Sequence, residues 1–291
     1  SDAIPNGTYK FINRNSGLAL DAYNQGTANG TQIQQWTYWG GAGQQWMVTD
    51  TGNGVYKVIG VQSGRSLDID YSSGGTANGT KVQLWDYWNG PSQQFVFIPT
   101  DSGYYRVSPQ CAPGSCLDVA GASTSAGTQV WLWQWLNGKN QQWALRPVDG
   151  TYKIVNRNSG LAMEAPNAWT GNGTQINQWS YYGGGSQQWQ VSDTGNGIYK
   201  IIGVQSGRSL DVYYSNGGTA NGTKIELWDY WNGPSQQWTF NPSSGGYFEI
   251  TPQCAPGSCL DVTGFSTANG ANVQLWQWLN GSNQQWQLLA P

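Results

Sequence analysis

The sequence writes one phrase six times. Leu84–Phe95 reads LWDYWNGPSQQF, and LWDYWNGPSQQ returns unchanged at Leu227–Gln237, followed by Trp238. Looser copies are QWTYWGGAGQQW from Gln35, LWQWLNGKNQQW from Leu132, QWSYYGGGSQQW from Gln178 and LWQWLNGSNQQW from Leu275. Each has Trp at its second position, an aromatic and glycine-rich middle, and a close of Gln, any residue, then Trp or Phe. The closing residues Gln44, Gln93, Gln141, Gln187, Gln236 and Gln284 are spaced by 49, 48, 46, 49 and 48 residues. A unit of that length cannot bury its apolar face alone and must pack against its neighbours. Copies one and four, two and five, and three and six each lie 143 residues apart. The spacing therefore predicts a duplicated three-unit body, with domains at 1–147 and 148–291. Almost no linker separates them, since LRPVDGTYK at Leu145–Lys153 echoes AIPNGTYK near the start.

Local signals inside a unit are all β. Short runs such as TYKFI (Thr8–Ile12), VYKVI (Val55–Ile59) and IYKII (Ile198–Ile202) open the repeats. A second run centres on Leu-Asp, as in SLDID and CLDVA, and a turn of the TANGT type follows, where Asn-Gly readily takes the positive φ of a tight hairpin. A third run leads into the repeated phrase and its closing aromatic begins a fourth. No stretch carries a helical apolar period, so each half is expected to be all-β. The Asn-Gly-Thr triplets at Asn6, Asn29, Asn78, Asn172 and Asn221 are formal glycosylation sequons, but their recurrence at one place in the repeat favours turn chemistry.

Composition narrows the function. Charged residues make up 10% of the chain, the net charge is -3 and histidine is absent, so a basic groove for nucleic acid is not expected. No apolar run reaches the roughly 18 to 20 residues that span a bilayer. The 18 Trp and 16 Tyr exceed what a core of this size needs, and exposed rings commonly serve recognition. PQCAPGSCLDV occurs in both halves, and two local disulfides, Cys111 to Cys116 and Cys254 to Cys259, are the favoured reading, with four free thiols as the alternative. Disulfides would imply an oxidising, extracellular compartment. The start of the chain lacks the regions of a signal peptide and reads as a mature or excised form.

With six ordered QxW closes, an upstream Leu-Asp and a central QLW, the chain resembles the ricin B-type lectins and the related family 13 carbohydrate-binding modules. The resemblance covers both halves. It implies two tandem β-trefoils, each a six-stranded barrel capped by three hairpins, with Trp46, Phe95, Trp143, Trp189, Trp238 and Trp286 packed around the pseudo-threefold axes. It also implies no cofactor and a set of sugar contacts: an Asp after the Leu, a Gln two before an aromatic, that aromatic, and an Asn-Gln pair at the close. A carboxylate accepts sugar hydroxyls, a ring stacks on a C–H face, and amides complete the pattern.

Copy six matches that pattern throughout, at Asp261, Gln274, Trp276, Asn283 and Gln284. Copy three has Asp118, Trp133, Asn140 and Gln141, with Trp131 in place of Gln. Copy two has Asp68, Gln83, Trp85 and Gln93, and copy five has Asp211, Glu226, Trp228 and Gln236, both with Ser before the close. Copy one keeps Asp21, Gln34, Trp36 and Gln44. Copy four departs furthest, with Glu164, Asn177 and Ser186. The closing Gln residues can alternatively brace their own loops. Trp88 and Trp231 are candidates for an enlarged platform. Non-catalytic, multivalent carbohydrate binding is the expected function, on a galactose-containing glycan or a plant-wall polysaccharide such as xylan, by a lectin or by a module of a larger secreted enzyme. A protein-binding trefoil is the alternative. A glycosidase is disfavoured because the acidic residues mostly repeat with the units and histidine is missing.

Overall fold

The computed structural model describes residues 4–70, 72, 75–214 and 218–291, and these divide into two compact units, 4–148 and 149–291. In the first unit six strands close on themselves. Gly7–Asn13 pairs with Trp46–Gly52, which pairs with Val55–Gly60, then Phe95–Pro99, Tyr104–Pro109 and Trp143–Pro147, and the last returns to Gly7–Asn13, every pairing antiparallel. The ring of pairings is a barrel, and closure leaves no sheet edge to guard. The second unit closes the same circle through Gly150–Asn156, Trp189–Gly195, Ile198–Gly203, Trp238–Pro242, Phe248–Pro252 and Trp286–Leu289. Each unit is a β-trefoil.

Three hairpins complete each trefoil. In the first they are Ala19–Ala22 with Ile33–Trp36, Ser66–Ile69 with Val82–Trp85, and Ser115–Val119 with Val130–Gln134. Barrel strands alternate as a period of two requires: Val55–Gly60 puts Tyr56, Val58 and Gly60 inside and leaves the intervening residues half-buried. The six closing aromatics are all buried at the barrel. Burial of each large ring contributes on the order of 2 to 3 kcal/mol.

The hairpin turns carry positive φ on glycine, from 88° to 91° at Gly30, Gly79, Gly127, Gly173, Gly222 and Gly270, a region costly for residues with a Cβ. Asn precedes all of these glycines but Gly127, and its side chain is left free for other work. Asn29 Oδ1 accepts the Asp86 amide at 2.8 Å, and Asn78, Asn172, Asn221 and Asn269 likewise hold the amides of Gln134, Asp229, Gln277 and Ser180 at 2.7 to 2.9 Å. Every one of those amides follows the exposed or half-buried Trp of a neighbouring repeat. Turn chemistry and repeat-to-repeat fastening are thus one function of the same dipeptide.

The expected disulfides are not there. Cys111, Cys116, Cys254 and Cys259 are free thiols. Cys116 lies within Ser115–Val119, fully buried, and its thiol donates to the Trp133 carbonyl at 3.6 Å; Cys259 does the same toward Trp276 at 3.5 Å. The short spacing was a poor guide because the strand commits the second cysteine of each pair to the interior. Burial raises the Cys111 and Cys254 thiols to about 11 and Cys116 to about 12, and raises Cys259 as well. The thiols are therefore protonated at neutral pH and poor nucleophiles. The compartment argument drawn from paired cysteines lapses with them.

Candidate functional site

Each hairpin places an acidic residue directly across from its partner on the next strand. The registers are Asp21 with Gln34, Asp68 with Gln83, Asp118 with Trp131, Glu164 with Asn177, Asp211 with Glu226 and Asp261 with Gln274. Opposed side chains on one face of a pair lie close enough to bond. Gln34, Gln83 and Gln274 accordingly donate to their Asp at 2.8, 2.9 and 3.0 Å. In copy three the Trp131 indole N–H takes that place, donating to Asp118 Oδ1 at 2.8 Å.

The core holds these strands from behind. The indole N–H of Trp46, Trp143, Trp189, Trp238 and Trp286 donates at 3.0 to 3.2 Å to the carbonyls of Leu20, Leu117, Met163, Leu210 and Leu260. Each carbonyl belongs to the residue just before the acid. The ring that fills the barrel also fixes the backbone of the site, except in copy two, where Phe95 has no N–H to offer Leu67. The sequence pattern alone assigned these rings to packing and missed this second task; the spacing from closing Trp back to the residue before the acid, 26 residues in four copies and 28 in copy five, was the available signal.

The closing Gln residues are fully buried and their amides are used within the protein. Oε1 accepts the backbone N–H five residues earlier, as with Trp39, Trp88 and Leu136, at 2.8 to 2.9 Å. Nε2 donates to the carbonyl seven residues earlier at 2.8 to 2.9 Å. Its second hydrogen goes to the acid, measured at 2.8 Å from Gln141 to Asp118, 2.9 Å from Gln187 to Glu164 and 2.9 Å from Gln284 to Asp261. Gln44, Gln93 and Gln236 likewise bond Asp21, Asp68 and Asp211. With both amide hydrogens committed, these residues orient the carboxylate and brace the loop.

The residue before each closing Gln completes the floor. Asn140 and Asn283 donate to Asp118 and Asp261 at 3.3 Å and to the Val119 and Val262 carbonyls at 3.1 and 2.9 Å. Ser92 and Ser235 do the equivalent work for Asp68 and Asp211 at 2.7 and 2.8 Å. Copy one has only Gly43 there. In copy four Ser186 pairs with the Tyr182 hydroxyl at 3.0 Å, and buried Asn177 Oδ1 has no partner. Asn283 Oδ1 in copy six is also buried without a partner, a cost that a ligand hydroxyl would relieve.

Burial raises the carboxyls of Asp21, Asp68, Asp118, Asp211 and Asp261, and their amide, hydroxyl or indole donors pull them back down. Copy five adds an acid opposite an acid. Glu226 is pushed up to about 8, first by burial, then by its hydrogen bond to Asp211 and that group's charge, against the pull of Lys224, whose Nζ lies 3.9 Å away. Below that pH the protonated Glu226 donates to Asp211 as Gln83 donates to Asp68. The departure from Gln is thus a near-isosteric substitution at neutral pH.

Aromatic walls rise beside this polar floor. Trp36, Trp85, Trp179 and Trp228 are exposed, while Trp133 and Trp276 are half-buried. In copy three Trp131 and Trp133 stack with centroids 5.2 Å apart, and a cavity of about 400 Å³ is lined by both rings with Asp118, Ala122, Leu136 and Asn140. In copy five a cavity of about 320 Å³ is lined by Asp211, Glu226, Trp228, Trp231, Tyr213 and Tyr214. Trp231 therefore joins its site, and Trp88 lies in the matching position of copy two, 58% exposed, its ring so close over Gly90 that a Cβ there would meet it at 2.0 Å.

The family model described as ricin-type beta-trefoil lectin domain-like matches residues 2–85, 91–179, 148–228 and 234–290. No curated protein sequence matches the chain. Among solved structures, the designed threefold-symmetric protein ThreeFoil is 39% identical over 48% of this chain and 97% of its own, with a TM-score of 0.46. A Macrolepiota procera ricin B-like lectin in complex with lactose is 25% identical over 50% of this chain and 97% of its own, at 0.42. An exo-beta-1,3-galactanase from Clostridium thermocellum is 23% identical over 98% of this chain and 68% of its own, at 0.47.

Proposed function

The chain belongs to the ricin-type beta-trefoil lectin domain-like family, and on that premise we propose that it binds carbohydrate without catalysis, through several of its six repeats at once. The observation that carries this reading is the copy three cavity, where a carboxylate held by three side-chain donors lies beside two stacked indole rings. A sugar offers the complement: hydroxyls for the carboxylate and an apolar C–H face for the rings. Repetition of weak sites converts modest affinity into avidity on a polymeric or clustered glycan. Galactose-containing glycans and plant-wall polysaccharides such as xylan are the ligand classes, and a role as the targeting module of a secreted glycan-degrading enzyme fits a chain of tandem sites.

The non-catalytic part of the reading is supported by the acids themselves. Glycosidases hold two carboxyl groups roughly 5 to 10 Å apart around the scissile bond. Asp211 and Glu226 instead share a hydrogen bond across one strand pair, leaving no room for a glycosidic oxygen between them.

A glycan microarray spanning galactans, xylans, arabinans and β-glucans tests the proposal. The intact protein is expected to bind at least one class, and the double variant Asp118→Asn with Asp261→Asn to lose most of that signal while keeping its circular dichroism. Undiminished binding by a folded double variant would remove these two acids from the site.

A further inference from the structure

Sites three and six carry the same Asp-Asn-Gln floor, yet one residue on their rims differs in size. Four residues after the acid, copy three has Ala122 and copy six has Phe265, the positions being 143 residues apart like all other equivalents. Ala122 lines the copy three cavity together with Gly138, Trp133 and Asn140. The matching residues in copy six are Gly281, Trp276 and Asn283. Phe265 leans into that space: a Cβ placed on Gly281 would meet the Phe265 ring at 3.0 Å and Asn283 Oδ1 at 2.6 Å. At Gly138 a Cβ would meet Asn140 Oδ1 at 2.5 Å, but Ala122 does not reach it.

The placement is unfavourable for a residue whose only task is to fill a turn. Phe265 has φ of 54°, in the left-handed region that bulky side chains avoid, and it is 57% exposed. Its backbone is held there, because Asn158 Nδ2 donates to the Phe265 carbonyl at 3.0 Å, as Asn15 does to Ala122. Beside it the buried Asn283 Oδ1 lacks any partner. A large ring held in a strained conformation next to an unsatisfied acceptor points to a task at the site.

We propose that Phe265 sets the size of ligand accepted by site six, walling off the volume that stays open over Ala122, so that site six takes a single pyranose ring and site three a longer or substituted glycan. The inference rests on the carbohydrate-binding reading above. Trp131 strengthens the contrast, since it extends the aromatic wall of site three where site six has Gln274.

The indole N–H resonances of Trp133 and Trp276 in the full chain report the two sites separately. Titration with galactose, xylose, lactose and xylotriose gives an affinity ratio, oligosaccharide over monosaccharide, for each. The ratio is expected to be near one at Trp276 and well above one at Trp133. Phe265→Ala should raise the Trp276 ratio about fivefold to tenfold, the scale of one aromatic contact, and Ala122→Phe should lower the Trp133 ratio similarly. Each variant places a residue that the equivalent turn already carries, so folding is not at risk. A Trp276 ratio that stays within about twofold of wild type in Phe265→Ala would overturn the role of Phe265. If neither indole of the wild-type protein moves with any of these sugars, the carbohydrate-binding assignment of both sites falls, and the size rule with it.

Discussion

Second and third repeats sit at equivalent places on the same barrel, yet they satisfy the same carboxylate by different chemistry. In the second repeats, Asp68 is held by Gln83, Ser92 and Gln93, and Asp211 by Glu226, Ser235 and Gln236. In the third, Asp118 is held by Trp131, Asn140 and Gln141, and Asp261 by Gln274, Asn283 and Gln284. Amide, hydroxyl, indole and protonated carboxyl are interchangeable here because each supplies one hydrogen at the same point. The closing ring is less interchangeable: Trp143 bonds the strand behind Asp118, whereas Phe95 only packs behind Asp68.

The largest effect is expected at that ring. Trp143→Ala should destabilise the first unit by about 3 to 5 kcal/mol, the cost of emptying a buried aromatic site. Trp143→Phe, which makes the third repeat like the second, should cost about 1 kcal/mol through the Leu117 carbonyl left without its donor. Urea unfolding measures both. A phenylalanine that costs nothing would show that the indole bond does not distinguish the two repeats.

A smaller effect separates the two second repeats from each other by pH. Glu226 has a folded pKa near 8 against an ordinary value of 4.5. Because the folded form holds the proton more tightly, its stabilising contribution is complete below about 4.5 and is lost as pH rises through 8. Glu226→Gln should remove this part of the slope, leaving the protein more resistant to thermal unfolding at pH 9 than wild type and little changed at pH 4. Gln83→Glu should install a corresponding slope in the first unit. Identical melting profiles for wild type and Glu226→Gln between pH 6 and 9 would contradict a protonated carboxyl in the role of Gln.

The smallest effect on stability belongs to the exposed platform. Trp88 and Trp231 occupy the position that Leu136 and Leu279 hold in the third repeats, all of them exposed. Trp88→Leu and Trp231→Leu should change stability by no more than about 0.5 kcal/mol, while weakening retention on polysaccharide by a few-fold more than binding of a monosaccharide. Affinity electrophoresis in polysaccharide gels distinguishes that pattern from a purely structural role, which would leave retention unchanged.

Much of this was legible in the chain. Six spaced closes and alternating runs lead to two β-trefoils, and Asp, Trp and Asn at matching offsets converge in copy three, as do Asp and Asn in copy six. Other features were not legible, for identifiable reasons. The PQCAPGSC spacing suggested disulfides, but strand orientation sends Cys116 and Cys259 toward backbone carbonyls. The sequon residues Asn29, Asn78, Asn172 and Asn221 fasten neighbouring repeats across 56 or 57 residues, and Asn269 of the equivalent Asn-Gly turn does so across 89, a partnership invisible to any local motif. Among the Gln residues named as sugar contacts, Gln141 and Gln284 commit both Nε2 hydrogens within the protein, which requires knowing the loop path, whereas Gln34, Gln83 and Gln274 each donate to their Asp.

By itself the sequence determined the architecture, because repeat length, strand period and closing aromatics are periodic, and periodic burial admits few solutions. Tertiary structure alone decided how each polar group is spent and how much room each site retains. Hydrogen bonds saturate and volumes exclude one another, so whether Gln141 braces, Glu226 holds a proton or Phe265 narrows a rim depends on neighbours that only folding brings within about 3 Å.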